Sequence, residues 1–113
     1  MDTNVIIQQE SENDGQTILL FYDDLAGMYL AFGLSAYYTT MVTEPTLSFS
    51  DEVQMPVALL NRANVLYLRQ SLQKKEHQKR TFYRFQAKRY LGDAGYEKWA
   101  NKIISRHNIT NSK

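Results

Sequence analysis

Thr17-Ile18-Leu19-Leu20-Phe21-Tyr22 is an unbroken run of β-branched, aliphatic and aromatic residues, and Met28-Tyr29-Leu30-Ala31-Phe32 repeats that character after the turn-forming gap Asp23 to Gly27. An apolar run of this length is satisfied only by burial on both faces, which makes the first segment a central strand. The short gap makes an antiparallel hairpin the natural connection to the second. The fold class expected from this pair is α+β.

Further along the chain, Ser35 reads as the N-cap of a short helix over Ala36 to Val42, which Pro45 ends. Thr46 to Ser50 alternates polar and apolar side chains, as does Val53 to Met55 beyond a turn at Asp51-Glu52, giving two half-exposed strands. After Pro56, the Leu- and Ala-rich stretch Val57 to Gln73 predicts a helix packed on two sides. Residues 17–73 are thus expected to form a small mixed sheet of about four strands flanked by helices.

Beyond it, Lys74 to Arg80 carries five charges and no apolar residue, the composition of a solvated loop or of a bridge between helices. Tyr83, Ala87, Tyr90, Leu91 and Ala94, then Tyr96, Trp99, Ala100 and Ile103, recur at helical spacing. They predict two basic amphipathic helices within residues 74–107, packed on the same domain. Residues 1–16 read as a mobile acidic arm and 108–113 as a disordered tail.

All thirteen Lys and Arg residues follow Asn61, while nine of the twelve acidic groups precede Arg62. Thirteen basic against three acidic groups give the second stretch a formal +10, and the first stands at −9. Such asymmetry points to a polyanion or an oppositely charged partner.

At 113 residues the chain supports one domain with a real core, and having no Cys it carries no disulfide framework and no thiolate chemistry. No secretory leader is visible. The uncharged run Leu25 to Thr43 contains glycines, hydroxyl residues and tyrosines and lacks flanking Lys or Arg, so it reads as core rather than a membrane span. A cytoplasmic protein is expected.

Catalysis finds no foothold. His77 and His107 lack a metal-ligand spacing and read as exposed helix residues, and the adjacent Asp23 and Asp24 suit a hairpin turn. No nucleophile-elbow, phosphate-loop or dinucleotide-binding pattern occurs. Neither an enzyme, a cofactor nor a metal is expected. What remains is a basic surface of Lys74, Lys75, Lys79, Arg80, Arg84, Lys88, Arg89, Lys98 and Lys102 interleaved with Phe82, Tyr83, Phe85 and Tyr90, the set that phosphate contact with aromatic stacking would use. The expectation is a non-catalytic nucleic-acid-binding module, with DNA ahead of RNA. The alternative is a protein-interaction protein, such as a phage- or plasmid-borne inhibitor or accessory factor, that engages a basic partner through its acidic half or self-associates through opposite halves.

The order Ile18 to Tyr22, then Gly27 to Gly33 leading into Ala36, then Thr46 to Ser50, then Met55-Pro56 and the segment Arg62-Ala63 with Tyr67-Leu68, resembles the N-terminal mismatch-recognition domain of MutS-type DNA mismatch-repair proteins. The resemblance covers roughly residues 17 to 72. It implies a mixed sheet flanked by helices and a stand-alone relative of the kind found in mobile-element and plasmid proteins. The family wedges a Phe beside the mispaired base and accepts a hydrogen bond with a Glu two residues later. Met28 and Leu30 hold those positions here, around a matching Tyr29. Met28 keeps an apolar wedge, but Leu30 has no acceptor, so the resemblance implies the scaffold without mismatch reading.

Overall fold

The computed structural model describes residues 3–79, 82–87 and 90–111. The chain runs α1 (Thr3–Ser11), β1 (Thr17–Asp23), β2 (Met28–Phe32), α2 (Gly33–Thr40), β3 (Thr46–Ser50), β4 (Met55–Leu60), α3 (Arg62–Ser71), β5 (Gln73–Lys79), β6 (Phe82–Gln86) and α4 (Tyr96–Asn111). The fold is α+β. Its sheet has six strands in the order β3-β4-β2-β1-β6-β5, with every ladder antiparallel, where a mixed sheet of about four was expected.

The β1–β2 hairpin forms as the sequence predicts. Asp23 closes it by accepting from the backbone N–H of Leu25 and Ala26, and Gly27 donates to the Asp23 carbonyl at 2.8 Å, so the turn explains that acid without chemistry. Ile18, Leu20, Ala31, Ala58, Leu60 and Phe85 line one face of the sheet and pack with Ala36 and Tyr38 of α2 and Val65 and Leu68 of α3. Leu19, Phe21, Phe32 and Val57 line the other, where Ile6 of α1 and Val53 of the β3–β4 turn cover them.

Four expectations are corrected. Val57 to Leu60 is not the start of a helix but the end of β4, held between β3 and β2; burial of Val57, Ala58 and Leu60 on both faces overrides the helical propensity of Leu and Ala. The helix is confined to α3, whose Asn61 cap and Asn64 exchange side chain-to-backbone hydrogen bonds at both ends of the first turn. Residues 82–86 are strand β6 rather than helix, pairing residue for residue with Phe21 to Thr17. The charged segment after Leu72 is edge strand β5, where Lys residues and two register shifts suit an unpaired outer edge. Lastly, the stretch expected as a mobile arm contains α1, with Ile6 only 1 % exposed. The last helix is as expected from Tyr96 but extends to Asn111, into the expected tail.

Ser35 is not a cap either. It lies inside α2, fully buried, and the helix end is capped from another element. Glu10 of α1 accepts from the Ser35 backbone N–H at 3.1 Å and from Ser35 Oγ at 2.5 Å, while Ser35 Oγ accepts from Leu19 N at 3.0 Å. Asn13 ties the same corner by donating to Glu10, to Ser35 Oγ and to the Thr17 carbonyl. The carboxylate thus serves orphan N–H groups at a helix N-terminus, where negative charge is favoured.

Burial nevertheless dominates and pushes the Glu10 carboxyl from 4.5 up to about 7, with the hydrogen bonds from Ser35 and Asn13 opposing it. A raised folded-state value means the folded chain holds a proton that the unfolded chain has released between those two pH values. Stability from this group is therefore complete below about 4.5 and is lost as pH rises through about 7. The full span corresponds to about 3 kcal/mol. Urea unfolding is expected to show the protein more stable at pH 5 than at pH 8, and Glu10→Gln to remove most of that difference; a pH difference of equal size in the variant would reject the assignment.

Candidate nucleic-acid interface

The cations that the sequence groups together are divided by the fold. Lys74, Lys75 and Lys79 belong to β5, the outermost strand on one side. Lys98 and Lys102 belong to α4, which packs against β3 and β4 at the other side. Five inter-strand steps separate the two edge strands, about 24 Å at the usual spacing. Arg80, Lys88 and Arg89 lie outside the described residues.

Arg84 does not belong to this surface. It stands opposite Leu19 in the β1–β6 ladder, and its Nη2 donates to Gln9 Oε1 of α1 at 2.9 Å. The half-buried guanidinium helps to hold α1 on the sheet, so Arg84 is reassigned from phosphate contact to the core's margin. Met28 starts β2 across from Asp23 and is half-buried, and Leu30 sits two residues on, packed beside the second core cluster. Tyr29 packs against Tyr22 with ring centroids 4.9 Å apart and the ring planes inclined at 55°.

On α4, Lys98 and Lys102 are one turn apart and exposed, about 6 Å along the axis. They flank an open groove of about 1310 Å³, lined also by Gln54, Pro56, Tyr96 and Arg106. The helix itself is anchored firmly. Trp99 and Tyr96 pack on Tyr37, the Tyr37 hydroxyl donates to the Ala94 carbonyl at 2.8 Å, and the Tyr38 hydroxyl donates to the Gly92 carbonyl. Burial pushes the Tyr38 hydroxyl up to about 12, so it remains a donor throughout the physiological range.

His77 lies on β5, not on a helix, and His107 is not simply exposed. Its Nε2 lies 3.0 Å from Asp51 Oδ1 and its ring packs beside Phe49, which fastens α4 to the β3–β4 turn. Among the described residues no three His, Asp or Glu side chains gather as metal ligands, and no helix is long and apolar enough to cross a membrane.

Two cations that charge and spacing alone did not single out join the exposed set. Arg62 and Arg69 on α3 are exposed, and neither has a hydrogen bond or ion pair among the described residues. The signal was available: no carboxylate occurs between Val53 and Lys75.

Comparison with family models, with curated proteins and with solved structures finds no match to this chain.

Proposed function

We propose that this protein is a non-catalytic nucleic-acid-binding module of the cytoplasm, with DNA its first partner and RNA second, that contacts phosphates from β5 with α3 and from α4. The carrying observation is a set of exposed cations left without partners among the described residues. The acidic half is only partly engaged, since the side chains of Glu12, Asp24, Glu44 and Glu52 are also exposed without a partner among the described residues. Glu10, Asp14, Asp23 and Asp51 all accept hydrogen bonds within the fold. By contrast Arg62, Arg69, Lys98 and Lys102 are exposed without a partner among the described residues. Cations left in this way are available to phosphate oxygens, and release of condensed counterions would drive the association. The MutS-type resemblance suits an accessory protein of a phage, plasmid or repair system. With Leu30 in place of an acceptor, a G·T mismatch is expected to bind no tighter than matched duplex.

The test is to neutralise each surface separately. Lys74→Ala with Lys75→Ala and Lys79→Ala, or Lys98→Ala with Lys102→Ala, should each flatten the log-log salt dependence of binding by roughly 0.7 to 0.9 for every phosphate no longer engaged, with unchanged melting. A slope unmoved by both sets would overturn the assignment of these surfaces.

A further inference from the structure

Resting on the nucleic-acid reading above, we infer that Tyr67 and Tyr90 form a stacking platform for unpaired bases, making the partner of the β5 side single-stranded nucleic acid. Both rings are exposed far beyond what tyrosine usually shows in a folded domain, Tyr67 at 53 % and Tyr90 at 69 %. Leu66, beside Tyr67, is 47 % exposed, while Val65 and Leu68 on the opposite side of α3 fill the core. The outward surface of α3 is therefore apolar and cationic at once, with Arg62, Leu66 and Arg69 along one stripe and Tyr67 about 100° further round the helix from Leu66.

Tyr90 is held rather than loose. A Cβ added to Gly15 would lie 2.2 Å from Tyr90 Cε1, and one added to Gly92 would lie 3.1 Å from Tyr90 Cε2. The ring rests on two glycines with nothing between it and the backbone, and Leu91 and Gly92 both donate to the Gly15 carbonyl, which fixes the segment. Gly15 also has φ +82, a conformation that other residues rarely adopt, so the seat depends on glycine twice over. A ring held against backbone at Gly15 and Gly92 and still largely exposed is pre-ordered for stacking, which lowers the entropic cost of binding.

Topology brings the two rings to one corner. Gln73 pairs with Gln86 at the end where β5 begins and β6 finishes. Tyr67 lies six residues before Gln73, the first four steps of them helical, and Tyr90 four after Gln86, so each Cα is within about 14 Å of that pair. Lys74 and Lys75 follow at once on β5. Cations that track a backbone beside exposed aromatic rings favour a strand whose bases are unpaired, because the bases of a duplex are stacked on one another and offer no free face.

The experiment measures fluorescence anisotropy of the full chain with labelled oligo-dT and with duplex of the same length at about 50 mM salt. Oligo-dT should bind at least about tenfold more tightly than duplex. Tyr67→Leu with Tyr90→Leu should weaken oligo-dT binding by about 5-fold to 150-fold while leaving the salt slope unchanged, and Tyr67→Phe with Tyr90→Phe should retain it. Thermal melts confirm that each variant folds, and Tyr67→Leu alone serves if Tyr90→Leu does not. Equal affinity for the two probes, or full binding by the Leu variant while the lysine variants lose theirs, would overturn the platform and leave phosphate contact standing. Absence of binding to both probes would overturn both.

Discussion

Leu20→Asp is expected to abolish cooperative folding. Leu20 is fully buried in the middle of β1, opposite Tyr83 in one ladder, and packs in the cluster that joins α2, α3 and β6. Losing the side chain costs about 2–5 kcal/mol, and an unpaired buried carboxylate adds several more, against a total of about 5–15 for a domain. Leu19→Asp should be milder although Leu19 is as deeply buried, because Arg84 stands directly across the ladder and puts a guanidinium within cross-strand reach of the new carboxylate. Circular dichroism melts distinguish the two. A wild-type transition in Leu20→Asp would show that β1 is not central.

Removing residues 2–12 is expected to lower the melting temperature by at least about 10 °C, since Ile6 alone accounts for about 2–5 kcal/mol and each kcal/mol shifts a domain of this size by about 4 °C or more. Deletion also uncovers Leu19 and Phe21 and leaves the N-terminus of α2 without its Glu10 cap. An unchanged melt would mean that the segment is the free arm its composition suggests.

That contrast shows where composition misleads. Thr17 to Tyr22 was legible because burial on two faces leaves an uninterrupted apolar run, and the neighbouring hairpin because its turn residues are specific. α1 was not legible, because a helix that buries little beyond Ile6 and Glu10 has no apolar stripe, and its anchor is a polar contact with Ser35, 25 residues away. β6 was masked by a coincidence: Tyr83 and Ala87 fit a helical period, whereas Tyr83 and Phe85, two apart, carry the strand signal. β5 has no hydrophobic signal at all, since its place is set by hydrogen bonding to β6.

The candidate site divided along the same line. Exposed cations on α4 were readable from charge and spacing, but only the ladder reveals that Arg84 is committed to Gln9 and that the β5 and α4 cations sit on opposite sides of the sheet. Tyr90 was legible as an aromatic amid basic residues, and its exposure and its seat on Gly15 and Gly92, which distinguish it from a core tyrosine, emerge only from the structure.

The proposed function turns on whether these exposed cations meet phosphates, and a salt titration of wild-type binding to DNA and RNA decides it. Measurable binding is expected at about 50 mM salt, falling steeply as salt rises, at a log-log slope of about −0.7 to −0.9 per phosphate contact. Undetectable binding to either nucleic acid at about 50 mM salt, where such contacts are strongest, would contradict it and turn the search to an acidic or basic protein partner.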